Sequence, residues 1–190
     1  MDSVKALSAA LEYLALGWSV IPLRPRDKRP MLPWQEYQGR PPRPSEVHHW
    51  FEGHADLNLG VVTGAVSGLL VLDVDAAHGG PESLARLEGN YGPLPPTLEA
   101  ATGGGGRHLY FAHPGGSVPN RVGLAPGVDL RGDGGYVVAP PSRHPTGGRY
   151  AWRSGRGPGK RRAAPLPEWL LERLAGEETG GRGHPPDHWR

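Results

Sequence analysis

Leu69-Leu-Val-Leu-Asp73-Val74-Asp75 is the stretch on which the fold turns: four apolar residues run straight into two acids one residue apart. A run this short and this apolar, bounded by turn residues, reads as a buried strand. Alternate residues of a strand face the same side, so Asp73 and Asp75 are expected to project together while Val74 enters the opposite layer. Two anions side by side at a strand end repel each other. A hard divalent cation, Mg²⁺ or Mn²⁺, offsets that repulsion through carboxylate oxygens. Acid pairs of this spacing also occur as plain solvent-facing strand ends, so the motif alone leaves both readings open.

Working outward, Asn58-Leu-Gly-Val-Val-Thr63 lies just upstream across Gly64-Ala-Val-Ser-Gly68, and the pair reads as a β-hairpin. Downstream, Pro81 opens a helix ending near Tyr91. Residues 98–102 and 108–112 read as a second strand pair around Gly103-Gly-Gly-Gly106, and 128–131 and 136–139 as a third hairpin across Gly132-Asp-Gly-Gly135. Toward the N-terminus, Ser3 can cap a helix running to Leu16 with Val4, Leu7, Leu11 and Leu14 on one face, stopped by Gly17. Residues 18–23 read as a strand, 24–43 as a Pro-rich basic connection carrying Lys28, Pro30 and Trp34, and Ser45 as the cap of a short helix through Phe51. Residues 149–152 add a short strand, and Pro167 opens a last helix with Trp169, Leu170 and Leu174 on its apolar side. From Gly176 onward apolar periodicity stops. The expected layout is therefore one domain over 1–175 and a disordered tail, or the start of a linker, over 176–190. The balance predicts an α+β fold, mostly antiparallel hairpins covered by a few helices.

The chain of 190 residues carries no cysteine, which excludes disulfides and thiolate zinc sites and suits a cytoplasmic protein. No apolar run approaches the roughly 20 residues that cross a bilayer, and Lys5 and Glu12 interrupt the N-terminal apolar spacing, unlike a signal peptide. Net charge is only +2, but it is unevenly spread. Residues 51–100 hold seven acids against Arg86 alone, whereas 143–162 hold seven bases and no acid. An acidic middle suits metal ions and a basic flank suits phosphates, although a basic run is also read as a solvated loop.

Two further groups carry chemistry. Thr102-Gly-Gly-Gly-Gly-Arg107-His108 puts bare backbone N–H groups next to two cationic side chains, a setting for a triphosphate and equally for a flexible turn. It lacks the Gly-Lys-Ser/Thr ending of a P-loop, and a strand follows it instead of a helix. Farther on, Asp129 and Arg131 share one strand face, so acid and guanidinium project together, while Asp133 sits in a glycine-rich turn and reads as a structural turn residue.

Strand-borne Asp73-x-Asp75, a glycine loop with Arg107-His108, then strand-borne Asp129 resembles, in that order, the three motifs of the archaeo-eukaryotic primase superfamily. More narrowly the chain is similar to the bifunctional primase–polymerase (Prim-Pol) domain of plasmid, phage and mobile-element replication proteins. Gly17-Trp18, Lys28-Arg-Pro30, Asn58-Leu-Gly-Val-Val-Thr-Gly64 and Gly-Gly-Tyr136-Val-Val-Ala-Pro-Pro-Ser142 extend the resemblance over about residues 3–152. It implies an RRM-like catalytic core beside a small N-terminal α/β subdomain. It further implies Asp73, Asp75 and Asp129 as ligands of two divalent ions, and His108, with Arg107 nearby, as a contact to the phosphates of an incoming dNTP or NTP. Lys28, Asn58, Ser142 and His144 become nucleotide-pocket residues, and a single-stranded DNA template is the implied partner. Arg153, Arg156, Lys160, Arg161 and Arg162 are expected to hold its backbone. Asp75 stands where many superfamily members carry Glu, and Thr102 where serine is frequent. No helicase motif is present, so a helicase would come from a further C-terminal part or a separate protein. Two readings compete with nucleotidyl transfer: a metal-dependent phosphodiesterase, and a non-catalytic module that binds nucleotide or single strands.

Overall fold

The computed structural model describes residues 2–54 and 56–176, with side chains from residue 5 onward. The side chains of Ser3, the predicted cap, and of Val4, and the predicted tail beyond Gly176, lie outside the described residues. These form an α+β fold of four α-helices and ten strands in two mostly antiparallel sheets. None of the described helices is long and apolar enough to cross a membrane.

The chain enters through α1 (Asp2–Ala15), which the left-handed Gly17 (φ 85°) terminates. Gly17 N–H donates to Leu14 and Trp18 N–H to Tyr13, the paired bonds of a Schellman ending. Strand β1 (Val20–Leu23) follows, then α2 (Pro44–Phe51), whose first-turn Glu46 accepts the Arg43 N–H at 2.7 Å. The cap position is therefore Arg43, two residues before the predicted Ser45, because Pro44 fits the first helical position, where its missing N–H costs nothing.

Strand β2 (Asn58–Val62) pairs with β1, and its other edge pairs with β8 (Tyr136–Ala139), so the small sheet runs β1-β2-β8. The larger sheet is β6-β7-β3-β5-β4-β9, with β3 (Leu69–Val74) central between β5 (Arg107–Ala112) and β7 (Val128–Arg131). Strands β4 (Leu98–Ala101), β6 (Arg121–Ala125) and β9 (Ala151–Trp152) complete its path. The two-residue β10 (Ala164–Pro165) runs parallel to the end of β5.

Of the three predicted hairpins only β4–β5 is one. The other two are crossovers between sheets: β2 to β3, and β7 to β8. In the first pair both strands are buried on two faces, so apolar content does not reveal which sheet claims them. The small sheet is accordingly not N-terminal alone, since β8 follows five strands of the large sheet in the chain. The crossings lie side by side and are bolted together. Thr63 hydroxyl donates to the Gly132 carbonyl at 2.6 Å, and Asp133 Oδ1 accepts the Ala65 N–H at 2.8 Å. A Cβ on Gly64 (φ 94°) would collide with Asp133, so glycine is required there.

Alternation along β3 separates two cores. Leu70, Leu72 and Val74 pack with Leu109, Phe111 and Leu130 beneath α3 (Gly80–Tyr91) and α4 (Glu168–Gly176). Leu69 and Val71 face the other way, with Tyr110 and Trp18 against the small sheet and α1. Tyr13 ties this layer together: its hydroxyl donates to the Pro140 carbonyl at 2.8 Å and accepts from Trp152 Nε1 at 2.7 Å. Burial raises its pKa far above the ordinary tyrosine value, so it remains a neutral phenol that can do both. Where the small sheet ends, the same face of β3 emerges into a cleft. Asp73 is the first residue there.

Candidate active site

Antiparallel register lines up one row across the large sheet. Asp73 on β3 lies opposite Asp129 on β7 and His108 on β5, and His108 lies opposite Ala100 on β4. Residues opposite one another share a face, and of this row Asp73 and His108 line the floor of a cleft of about 840 Å³, with Asp129 beside Asp73 in register. Lys28, Trp34, Thr102, His144 and Tyr136 are among the residues lining it.

Asp73 lies between a histidine and an arginine. His108 Nε2 stands 3.4 Å from its Oδ1 and Arg131 Nη2 3.8 Å from its Oδ2. Burial pushes its carboxyl up, but the His108 contact and the positive charge of Arg131 and Lys28 outweigh that and hold it below the usual range. Asp129 accepts from the Gly123 N–H at 2.8 Å and from Arg131 Nη2 at 3.1 Å. A single guanidinium therefore stands between two carboxylates. Asp75, expected on the strand, lies one residue beyond β3 and caps a 3-10 turn. Its Oδ1 accepts the Ala77 N–H at 2.9 Å and its Oδ2 lies 2.7 Å from His78 Nδ1, a contact that lowers its pKa. It borders the same cleft, with its carboxylate turned onto its own turn.

Among the described residues, no three acids or histidines converge on one point to hold a metal ion. The donor chemistry nevertheless fits a hard divalent cation: Asp73 and Asp129 offer oxygen ligands from adjacent strands, and Arg131 already marks the point between them as a place for positive charge.

The glycine loop closes one wall. A Cβ on Gly103 would meet the His144 side chain and the Gly148 backbone, and one on Gly106 would meet the Val74 carbonyl, so close packing accounts for glycine at both. His144 lies against this loop. Its Nδ1 accepts the Thr146 N–H at 3.3 Å, which leaves the proton on Nε2, toward Gly104. Burial and the neighbouring Lys28 lower its pKa, which favours this neutral ring. At another part of the cleft Trp34 and Tyr136 meet edge to face, ring centres 4.9 Å apart.

The other predicted residues divide between the cleft and other places. His108 is almost fully buried beside Tyr110 and Tyr150, its Nε2 directed at Asp73. Arg107, one residue earlier, points to the opposite face, 3.6 Å from Glu99. Arg153 and Arg156 reach the same carboxylate at 3.2 and 3.0 Å, so three residues predicted to touch phosphate gather on one acid that is 2% exposed. Lys160, Arg161 and Arg162 are exposed. Asn58 and Ser142 do not line the cleft. The Asn58 amide donates to the Asp27 and Arg143 carbonyls at 3.0 and 2.7 Å, and Ser142 Oγ accepts the Leu59 N–H at 2.8 Å. Both border a separate pocket of about 180 Å³ beside Lys5 and Arg26. The residues that sequence reasoning passed over are Arg131, Trp34 and Tyr136. For Arg131 the signal was present, as a strand-face neighbour of Asp129.

No curated protein matches the chain. The family model of the bifunctional DNA primase/polymerase N-terminal domain matches residues 10–169, a span that holds both sheets and every residue of the cleft named above. Matched over most of its length, the chain belongs to the Prim-Pol family.

Proposed function

We propose that this protein is a template-dependent nucleotidyltransferase, a DNA primase or polymerase, acting as one catalytic domain over residues 1–175. The observation that carries the reading is the Asp129–Asp73–His108 row, whose Asp73 and His108 line a cleft that also holds an aromatic pair. Acids suit the reacting phosphates, and Trp34 with Tyr136 offers apolar surface for a base. Asp73, Asp75 and Asp129 would hold two divalent ions, Mg²⁺ or Mn²⁺. Such ions lower the charge on a triphosphate and make the attacking 3′-hydroxyl more acidic.

The chain's own residues supply position. His108 holds Asp73 on the floor, while Lys28 and the Gly103–Gly104 backbone line the wall where phosphates of a dNTP or NTP would lie. In the net reaction the 3′-oxygen joins the α-phosphorus as that phosphorus releases pyrophosphate, and the hydroxyl proton passes to water. Single-stranded DNA is the partner, and the exposed Lys160, Arg161 and Arg162 are suited to its backbone.

The test is incubation with single-stranded template, Mg²⁺ or Mn²⁺ and labelled nucleotides, with and without a primer. Template-dependent extension supports the reading. Shortening of the template instead would mark a phosphodiesterase, and nucleotide binding without incorporation a non-catalytic module.

A further inference from the structure

Arg131 sits where its charge has a consequence. Its Nη2 lies 3.1 Å from Asp129 Oδ2 and 3.8 Å from Asp73 Oδ2, the two carboxylates opposite each other across β7 and β3. Only the Asp129 contact is short enough to be a hydrogen bond, so the hold on Asp73 is one of charge. The side chain keeps 27% of its surface exposed and lines the cleft rather than being sealed beneath it. Asp129 has a second anchor in the Gly123 N–H, and Asp73 has one in His108, so neither acid depends on Arg131 alone for its position. Arg131 and Tyr136 line the same cleft.

We propose that Arg131 is a resident counter-cation of the Asp73–Asp129 pair: it holds the two carboxylates together, competes with a divalent ion for them, and on ion binding is released into the cleft to meet nucleotide phosphate. This rests on the reading of Asp73 and Asp129 as ion ligands. A unit positive charge beside two anions opposes the entry of another cation, and a planar guanidinium freed from a carboxylate partner can pair instead with phosphate, whose geometry it matches equally well. Arg131 is thus a positioning residue for the ion and a binding residue for the nucleotide.

The opposing signs make the test sharp. The full chain, stripped with EDTA, is titrated with Mn²⁺ and free Mn²⁺ is read by electron paramagnetic resonance, without nucleotide. Arg131→Gln is expected to bind Mn²⁺ about tenfold tighter than wild type, and Arg131→Lys, whose ammonium keeps the charge on a shorter side chain, about two- to threefold tighter. Arg86→Gln, on the exposed face of α3, removes the same charge away from the cleft and should leave Mn²⁺ affinity unchanged. Affinity for a deoxynucleoside triphosphate, measured with Ca²⁺ present, should fall about tenfold or more in Arg131→Gln. An order in which both substitutions leave Mn²⁺ affinity equal to wild type, or weaken it, overturns the proposal while leaving the ion reading in place. If neither wild type nor Arg131→Gln takes up Mn²⁺, the ion reading and the proposal fall together. Should Arg131→Gln not fold, the Arg131→Lys comparison decides alone.

Discussion

Asp73 and His108 face each other in register on neighbouring strands, with the imidazole Nε2 3.4 Å from a carboxylate oxygen. The histidine is 5% exposed in its side chain and the aspartate 31%, so a buried ring steadies an acid that opens onto the cleft. Replacing Asp73 with Asn keeps the shape but removes the charge. Incorporation is expected to fall at least about a hundred- to a thousandfold, as when one electrostatic stabiliser of a transition state is removed. The fold should persist, since Asp129 still pairs with Arg131. Primer extension and circular-dichroism melting, run together, check this; wild-type extension by a folded Asp73→Asn variant would remove Asp73 from the chemistry.

For His108 the structure changes the expected readout. A histidine that touched phosphate would, on substitution, raise the nucleotide KM. One that steadies Asp73 acts on the rate and on the divalent-ion requirement instead. His108→Ala is therefore expected to lower kcat about ten- to a hundredfold, the range for removing a charge-assisted hydrogen bond, and to raise the Mn²⁺ concentration for half-maximal rate. Nucleotide KM should change by less than about threefold. A large KM effect at an unchanged ion requirement would return His108 to direct phosphate binding.

The basic segment divides into two kinds of residue. Arg153 and Arg156 are ion-paired to the buried Glu99, whereas Lys160, Arg161 and Arg162 are exposed. Neutralising the exposed three should weaken single-strand binding and reduce the slope of log K against log salt by about 0.7 for each phosphate that is no longer neutralised. Neutralising Arg153 and Arg156 should instead lower the melting temperature, because Glu99 would keep its charge in a buried place with fewer partners. Salt-titrated binding to a labelled oligonucleotide, alongside melting curves, separates the two; identical slopes in the Lys160, Arg161 and Arg162 triple variant and the wild type would make that run a plain solvated loop.

Element positions were largely legible because they rest on local signals: Gly17 stops α1, Pro81 lies in the first turn of α3, and the glycine loop joins β4 to β5. Strand partnership was not, since Asn58–Val62 and Leu69–Val74 are apolar on both faces and the turn between them serves a hairpin or a crossover equally well. The acid–histidine row was legible in its members, Asp73, His108 and Asp129, though only the register shows that they are neighbours. Asn58 and Ser142 show the converse. Polar residues in a recognisable motif suggested a pocket, but their side chains fasten β2 to the segment after β8. A lone sequence does not separate a polar group that binds a ligand from one that satisfies a buried backbone, because both demand the same hydrogen-bonding atoms.

Asp133, read from the sequence as a turn residue, carries the crossing between the sheets. Its Oδ1 accepts the Ala65 N–H at 2.8 Å and its Oδ2 the Val118 N–H at 2.6 Å, with His113 Nε2 3.3 Å from Oδ1. His113 Nδ1 accepts the Gly115 N–H, which puts the ring proton on Nε2, toward Asp133. Partial burial pushes the carboxyl up, yet the two backbone donors and His113 outweigh it and hold the pKa below the ordinary 3.8. A folded pKa below the unfolded one means stability that is fully present above the ordinary carboxylate value and lost as pH falls through the folded value. An amide at this position can accept with one atom only, so one of the two N–H groups would face an NH₂. Asp133→Asn is therefore expected to cost about 1–3 kcal/mol at pH 7. The gap to wild type should narrow as pH drops below about 4, where the carboxyl takes up a proton in the unfolded chain before it does in the folded one. Urea unfolding at pH 7, 5 and 3.5 measures it. A gap independent of pH would mean that Asp133 acts there by shape alone, and a variant as stable as wild type at pH 7 would remove it from the crossing.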